Sequence, residues 1–303
     1  MVQQFQAFVL GTVQGLTEFL PVSSSAHLVL LPWLLSWRDQ GLAFDVALHL
    51  GTLVALLIYY WRNWLAMGAS LLTGNKPQQR LLWLLVTASI PGATIGLLFE
   101  KQAETVFRSP LLIAVALALL GFALWLFDRL EPQRRSMDEM TYLDALLIGL
   151  SQAFAIVPGV SRSGATITMG RIVSLNREDA ANFSFLMATP IIAGAGMVEG
   201  RHLLATGVTH DVWIGFVAAA IFGLIAIASL LRFVRTRSYE VFVWYRIILA
   251  IFVIAVFLYR PPLQPNCQSF GGTQLTRPAG LIQDNCATSH LALYHAHPKP
   301  VTE

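Results

Sequence analysis

The sequence predicts an all-α polytopic membrane protein, in which six spanning helices and two re-entrant helical hairpins form an inverted-topology repeat. Composition is the first observation that supports this class. Apolar residues make up 55% of the 303-residue chain, charged residues only 12%, and the mean hydropathy is +0.61. Soluble domains carry about 25% charged residues, and a soluble fold with so few would expose large apolar patches and aggregate. The net charge of +3 indicates no nucleic-acid partner.

Six apolar stretches supply the second observation, because each is long enough for a helix of about 20 residues, the length that crosses a bilayer. Aromatic and basic residues at their edges, such as Trp244-Tyr245-Arg246, are typical of interfacial anchors. The predicted spans are 42–62, 80–99, 109–128, 182–199, 212–231 and 240–259.

Two further apolar regions, 2–37 and 142–175, are interrupted by segments rich in proline, serine and glycine, at 20–25 and at 157–164. Each region is therefore predicted to form two short helices around a break. Irregular backbone at membrane depth is tolerated only where protein or a wet cavity covers it. Both regions are predicted to be re-entrant hairpins, which enter and leave the bilayer on one side.

The two hairpins resemble each other, and this is the third observation. Gly15-Leu-Thr-Glu18 precedes the first break much as Gly149-Leu-Ser-Gln152 precedes the second, which gives a repeat with an offset of about 138 residues. One hairpin and three spans make up each repeat, at 1–128 and 142–260 of a single membrane domain, 1–260. Three spans are an odd number, so the second repeat must run inverted. Inverted repeats with broken helices place their site where the breaks meet, near the midplane.

Basic residues are distributed unevenly between the two sides of this arrangement. Cytoplasmic loops carry an excess of Lys and Arg, so the richer face is predicted to be cytoplasmic, and six spans then place both termini outside. The richer face holds eleven residues: Arg62, Lys76, Arg80, Arg129, Arg134, Arg135, Arg171, Arg177, Arg232, Arg235 and Arg237. The other face holds four: Arg38, Lys101, Arg108 and Arg201.

The segment 261–303 changes in character, since it is rich in Pro, Gln, Thr, Asn and His without apolar periodicity. Such composition predicts a disordered tail. A disulfide between Cys267 and Cys286 is an alternative for an extracellular segment. Metal binding by the two cysteines is a weaker alternative, with His290, His295 and His297 as further ligands.

The first hairpin carries polar residues that would be costly against lipid and are therefore functional candidates. Gln14 and Glu18 lie four residues apart and so share one helical face. The serines start the second short helix, whose free N–H groups favour an anion. A structural alternative is that the serines only cap a buried helix and the histidine only hydrogen-bonds in the core. The candidates are Gln14, Glu18, Ser23, Ser24, Ser25 and His27.

The second hairpin carries an arginine at the same depth. A guanidinium there needs an anionic partner, and its planar fork suits phosphate or carboxylate oxygens. Arg162 is thus predicted to clamp a ligand phosphate, with a structural ion pair to Glu18 as the alternative. The polar residues of this hairpin are Gln152, Ser161, Arg162, Ser163, Thr166 and Thr168.

One carboxylate, one histidine, one arginine and several hydroxyls would meet at the midplane. This set fits phosphoryl transfer, in which a hydroxyl or imidazole attacks a phosphate in line while Glu18 takes a proton or holds a cation. A transporter of a phosphorylated lipid would need the same anion clamp and remains open as the alternative.

These residues also form two longer motifs, Gln14-Gly-Leu-Thr-Glu-Phe-Leu-Pro-Val-Ser-Ser-Ser-Ala-His27 and Pro158-Gly-Val-Ser-Arg-Ser-Gly-Ala-Thr166. Both resemble the signature motifs of the bacterial undecaprenyl-diphosphate phosphatases, and the resemblance extends over roughly 1–260. It implies an enzyme of the bacterial inner membrane that removes the terminal phosphate from a polyprenyl diphosphate. The lipid carrier is thereby recycled for peptidoglycan synthesis, and bacitracin resistance follows. The implied partners are that lipid and the bilayer, and a homodimer is left open.

The resemblance also implies roles for individual residues. Glu18, Ser24, His27 and Arg162 would be catalytic, with Ser24 preferred over His27 as the nucleophile and His27 as the base or acid. A divalent cation, Mg²⁺ or Ca²⁺, would be held by Glu18 and Gln14. Many relatives have Glu at position 14, so the Gln here leaves one carboxylate for the metal. The diphosphate would be bound by Ser23, Ser25, Ser161, Arg162, Ser163 and Thr166.

Overall fold

A computed structural model describes residues 2–37, 40–105, 109–206 and 209–259. In these residues the chain forms helices and no strand, which confirms the all-α class. One isolated parallel bridge joins Arg135 to Leu175. The α-helices in chain order are α1 Val2–Phe19, α2 Ser24–Leu35, α3 Leu42–Tyr59, α4 Trp61–Thr73, α5 Lys76–Thr105, α6 Pro110–Leu130, α7 Tyr142–Ala153, α8 Arg162–Ile172, α9 Arg177–Thr206, α10 His210–Val234 and α11 Glu240–Tyr259.

Four of the described helices are long and apolar enough to cross a membrane: Pro110–Leu130, Arg177–Val198, His210–Val234 and Glu240–Tyr259. They correspond to four of the predicted spans, with ends that differ by a few residues. The predicted span 42–62 differs, because the helix breaks at Tyr60 and Ala43–Tyr59 meets Trp61–Thr73 at 71°. Counted as one bent span, this pair is a fifth. The remaining predicted span, 80–99, lies within α5.

The outer surfaces of these helices are apolar, as lipid contact requires. Large side chains that would be buried in a soluble protein are exposed on α6, α10 and α11, because the surrounding hydrocarbon is as apolar as they are. Among the exposed residues are Leu111, Leu119, Phe122, Val217, Ile221, Ile225, Ile248, Ile251 and Phe252.

Both predicted breaks are present: α1 and α2 flank the first, while α7 and α8, with a 3₁₀ turn at Phe154–Ile156, flank the second. Helices of one half pack on helices of the other, α1 on α10 and α7 on α5. Glycine permits both approaches. A Cβ on Gly11 would lie 2.2 Å from the Gly215 carbonyl oxygen, and one on Gly149 would lie 2.2 Å from that of Ala88. The helices α6 and α11 also pair, as do α3 and α9.

A buried ionic cluster fastens one end of the bundle. Asp128 Oδ1 accepts from Arg171 Nε at 3.1 Å and from Arg177 Nε at 2.8 Å, while its Oδ2 accepts from the backbone N–H of Tyr239. Arg171 also donates to the carbonyl oxygens of Glu131 and Leu175. One of the eleven basic residues of the predicted cytoplasmic face, Arg171, is therefore a fully buried structural charge and not a loop charge.

Several sequence predictions fall on residues that lie outside the described part of the chain. They are the tail 261–303 with its two cysteines and three histidines, and Arg38 and Arg108 on the less basic face. The side chains of Lys101 and Arg201 are also not described.

Candidate active site

The two helix breaks have the same backbone geometry. Ser23 and Ser161 precede α2 and α8, with φ of 73° and 67°. The hydroxyl oxygen of each caps its helix, accepting from the backbone N–H of Ala26 at 3.4 Å and of Gly164 at 3.0 Å respectively. Serine at an N-cap satisfies a donor that the helix leaves free. The two breaks therefore present two capped helix starts.

The breaks are also hydrogen-bonded to each other. The backbone N–H of Gly159 donates to Ser23 Oγ at 3.1 Å, and Ser163 Oγ donates to the Leu20 carbonyl oxygen at 3.0 Å. Ser23 and Ser163 were predicted to bind the diphosphate, and in the structure their hydroxyl groups form hydrogen bonds that join the two hairpins. The residues that connect them lie about 140 positions apart in the chain.

A buried arginine from α11 reinforces this junction. Arg246 is fully buried, and its guanidinium donates to the carbonyl oxygens of Pro21 at 3.0 Å and Gly159 at 2.9 Å. It also donates to Leu117 and, more weakly, to Val160 and Ala116. The prediction that Arg246 is an interfacial anchor is therefore wrong, because its charge sits beneath both breaks.

Glu18, on α1, lies at the centre of the junction and is buried. Its Oε1 accepts from Arg162 Nη2, and its Oε2 accepts from the Ser24 hydroxyl. Gln14 Nε2 donates to the same Oε2 at 3.0 Å. Three of the four predicted catalytic residues, and both predicted metal ligands, are thus brought into direct contact.

His49, which the sequence analysis missed, also faces Glu18. Its Nε2 lies 3.6 Å from Glu18 Oε2, and its Nδ1 lies 2.8 Å from the Asp45 carbonyl oxygen. Because a carbonyl only accepts, Nδ1 carries a hydrogen and Nε2 is directed towards the carboxylate. A titratable residue inside the predicted span 42–62 was the signal that could have found it.

Two adjoining cavities open on this cluster. The first, of about 220 Å³, has a polar side formed by Glu18, Ser24, Ser25, His49, Gln152, Ser161 and Arg162. The second, of about 320 Å³, shares Ser25, His49 and Arg162 with it. Its remaining wall is largely apolar and includes Leu28, Val29, Val46 and Ile192. A polar chamber beside an apolar one suits an amphiphile with a charged head.

Comparison with known proteins agrees with the motifs and their arrangement. The sequence profile of the bacitracin resistance protein BacA matches residues 7–252. The chain belongs to the BacA family. It is 52% identical over 260 residues to a protein of Moorella thermoacetica named undecaprenyl-diphosphatase, which covers 84% of this chain and 98% of the relative. A protein of the same name from Pelotomaculum thermopropionicum is 50% identical, with 83% of this chain and 96% of the relative covered.

In this BacA-family chain, His27 lies outside the lining of both cavities. Its Nδ1 lies 2.7 Å from the Ser23 carbonyl oxygen, so Nδ1 carries a hydrogen. Its Nε2 lies 2.6 Å from the Tyr245 hydroxyl, and the two rings stack. Both ring nitrogens are therefore engaged away from Ser24, which is the other candidate nucleophile.

Thr166 and Thr168 make structural hydrogen bonds within and beside α8. Thr166 Oγ1 bonds to the Arg162 and Ser163 carbonyl oxygens and to Ser184 Oγ at 2.6 Å. Thr168 Oγ1 donates to the Gly164 carbonyl. Of the six predicted diphosphate ligands, Ser25, Ser161 and Arg162 line the cavities.

A divalent cation fits this site only if a bound diphosphate supplies part of its ligands. No group of three or more His, Cys, Asp or Glu side chains able to hold a metal ion is found among the described residues. The buried Oε1 of Gln14 has no protein partner, and it belongs to the residue that donates to Glu18. Mg²⁺ is commonly held by one or two carboxylates and by substrate phosphates. Glu18, with the Gln14 carbonyl oxygen, matches that pattern once a diphosphate supplies the remaining ligands.

Proposed function

We propose that this protein hydrolyses undecaprenyl diphosphate to undecaprenyl phosphate and inorganic phosphate in the bacterial inner membrane. Membership of the BacA family and the name shared by its relatives support the reaction. One structural observation carries the mechanism: Glu18 binds both a candidate nucleophile, Ser24, and a candidate phosphate ligand, Arg162. Recycling of the lipid carrier and bacitracin resistance follow from this activity.

The diphosphate head would enter the polar cavity and draw Arg162 from Glu18 onto the terminal phosphate. A phosphate accepts two parallel hydrogen bonds from a guanidinium, as a carboxylate does. Ser25 and Ser161, which line the same cavity, would donate to the remaining oxygens. The first isoprene units would lie along the apolar wall of the second cavity, where they remove apolar surface from water.

Ser24 is the proposed nucleophile, and Glu18 is its base. As the Ser24 oxygen bonds to the terminal phosphorus, its proton passes to Glu18. The bond between phosphorus and the bridging oxygen breaks, and the proton moves from Glu18 to that oxygen on the departing lipid monophosphate. Because Ser24 already donates to Glu18, the base lies within hydrogen-bond reach of the proton that it removes.

Ser23, His27, Ser163 and Thr166 act in this proposal as positioning residues, since their polar atoms hold the turns. A cation, Mg²⁺ or Ca²⁺, would be bound by Glu18, the Gln14 carbonyl oxygen and the diphosphate. Bound there, it would neutralise charge on the phosphate oxygens.

The membrane arrangement belongs to the same proposal: six spans, two re-entrant hairpins, inverted repeats at 1–128 and 142–260, and both termini outside. The equivalent caps of the two breaks and the exchange of packing partners between halves support it. A cysteine at Asn75, in the turn between α4 and α5, tests the orientation in a chain whose native Cys267 and Cys286 are replaced by serine. Labelling by a membrane-impermeant maleimide from outside intact cells would contradict it, while labelling only after lysis supports it.

The reaction is tested by phosphate release from a polyprenyl diphosphate in detergent. The wild type is expected to release phosphate, and Glu18→Gln, Ser24→Ala and Arg162→Ala are expected to lose about 10²-fold or more of kcat/KM. Ser70→Ala and Arg129→Ala, which alter residues remote from the cavities, serve as matched controls. In proteoliposomes, passage of the lipid without phosphate release would favour transport over hydrolysis.

A further inference from the structure

Gln152 is a polar residue of the first cavity that the mechanism above does not use. It lies on α7 just before the second break, is 4% exposed and lines the cavity with Glu18, Ser24 and Arg162. Neither its Nε2 nor its Oε1 has a hydrogen-bond partner in the protein. A buried amide that leaves both atoms unpaired is costly. Since both atoms are free, this statement does not depend on which way the amide is turned.

Space for this side chain is provided by a glycine on a neighbouring helix. A Cβ on Gly92, in α5, would lie 2.1 Å from Gln152 Nε2. Gly92 also lines the cavity. The close approach therefore holds the amide at the cavity wall, and any larger residue at position 92 would push it away.

The two free atoms of the amide call for different ligands. The N–H groups can donate to a phosphoryl oxygen, whereas the carbonyl oxygen needs a donor. A phosphate dianion has only acceptors, so phosphate alone would leave Oε1 unpaired. Water supplies the missing donor. A carboxamide that bridges a phosphoryl oxygen and a water molecule places that water beside the phosphorus.

We propose that Gln152 is a further catalytic residue, which binds the phosphoryl group on Ser24 and orients the water that removes it. This inference rests on the proposed function. In this second step the water oxygen bonds to phosphorus, and a water proton passes to Glu18. The bond from phosphorus to the Ser24 oxygen breaks, and Glu18 returns a proton to that oxygen. Inorganic phosphate and free Ser24 are the products.

Single-turnover kinetics test the step, with a short-chain polyprenyl diphosphate and the full chain in detergent. Lipid monophosphate reports the first step, and inorganic phosphate reports the second. In Gln152→Leu, lipid monophosphate should appear within a few-fold of the wild-type rate, while phosphate release falls about 10²-fold. The phosphoryl group should accumulate on the tryptic peptide that contains Ser24, and Ser24→Ala should show no such adduct.

A second variant leaves Gln152 itself in place. Gly92→Ala should displace the amide and reproduce the slow phosphate release, although alanine is the better helix former and the fold should hold. Gly68→Ala is its control, because Gly68 is a helical glycine of α4 that lines neither cavity and a Cβ there meets no atom within 4 Å. Melting curves and gel filtration confirm that each variant is folded.

Two outcomes would overturn the inference. If Gln152→Leu slows the release of lipid monophosphate and of inorganic phosphate equally, Gln152 acts in the first step and not in the hydrolysis of the phosphoserine. If both variants release both products at wild-type rates, Gln152 has no role in the reaction. Failure of the proposed function looks different, since the wild type itself would then release no phosphate from the lipid diphosphate.

Discussion

Ser23 and Ser161 occupy equivalent positions in the two hairpins, each at positive φ and each capping the following helix with its own hydroxyl. Positive φ is unfavourable for serine, at a cost of about 1–3 kcal/mol, so the surrounding contacts must hold both turns. The turn places Ser24 directly after Ser23 and Arg162 directly after Ser161. Ser24 and Arg162, which both contact Glu18, are therefore the first residues of α2 and α8.

Removal of the caps should destabilise the protein unequally. Ser161→Ala loses the bond from Gly164 N–H, for which about 0.5–2 kcal/mol is typical. Ser23→Ala should cost more, because Ser23 Oγ also accepts from Gly159 N–H of the other hairpin. Unfolding in detergent measures both. Thr94→Ala, which alters an exposed helical hydroxyl, is the control, and an equal loss in all three variants would contradict the prediction.

Replacement of His27 should resemble loss of its partner. Because His27 Nε2 bonds to Tyr245 and not to Ser24, His27→Ala and Tyr245→Phe are expected to lower kcat by similar factors. Both effects should be well below the loss in Ser24→Ala. Steady-state phosphate release measures them. A variant His27→Ala as inactive as Ser24→Ala, beside a fully active Tyr245→Phe, would show that the imidazole acts in the reaction.

His49 should contribute to catalysis, although it lies in a largely apolar span. Its Nε2 faces Glu18 Oε2 across 3.6 Å, so His49→Leu replaces a polar wall of the cavity with an apolar one. We expect kcat to fall roughly tenfold, less than the 10²-fold or more lost with a group that transfers the proton itself. His210→Leu alters an exposed histidine and should have no effect. Unchanged kcat in His49→Leu would make His49 a passive wall residue.

Much of this site follows from local sequence rules, and the remainder depends on the meeting of distant segments. Pro21 and Pro158 mark the breaks, and the scarcity of charge makes Glu18 and Arg162 conspicuous. Arg246 shows the limit of such rules. It follows Trp244 and Tyr245, as a membrane anchor would. Only the packing of α11 against α6 places it beneath both turns.

Composition also does not predict where the helix in the predicted span 42–62 bends. The stretch 42–62 is largely apolar, so its pattern does not predict the 71° bend near Tyr60. Tyr60 is buried, and its hydroxyl donates to Asn182 Oδ1 at 2.7 Å. Contact with a residue more than a hundred positions away is outside the reach of periodicity. Spacing likewise predicts the helical face of His27 but not the residue that lies against it, Tyr245.

Arg246 should be among the residues least tolerant of substitution. Arg246→Met leaves the carbonyl oxygens of Pro21 and Gly159 buried without their donor, and each unsatisfied group costs about 1–3 kcal/mol. Arg246→Lys keeps the charge but offers a single ammonium in place of a planar fork, so it should rescue stability only in part. Melting temperature and phosphate release should fall together in both variants. Arg232→Met, on the end of α10, is the control, and a stable, active Arg246→Met would contradict this role.

Acid should destabilise the loop between α6 and α7, because protonation of Asp144 weakens its hydrogen bonds to that loop. Burial alone would raise the pKa of Asp144, but hydrogen bonds from Arg135 Nη2 and from the Thr141 backbone N–H, both 2.7 Å, outweigh it and hold that pKa below its usual value.

A carboxyl with a depressed folded-state pKa contributes stability that is fully present above its unfolded value, about 3.9, and is lost as pH falls through the folded one. Asp144→Asn should therefore lower the unfolding midpoint at pH 7, and its gap from the wild type should have narrowed by pH 3, below the unfolded-state value. Asp138→Asn alters an exposed aspartate of the same loop. In this variant the change in unfolding midpoint between pH 7 and pH 3 should equal that of the wild type. A constant gap between wild type and Asp144→Asn across this range would show that the ionised carboxylate adds no stability, and that the amide fails only by its poorer fit to Arg135 and Thr141.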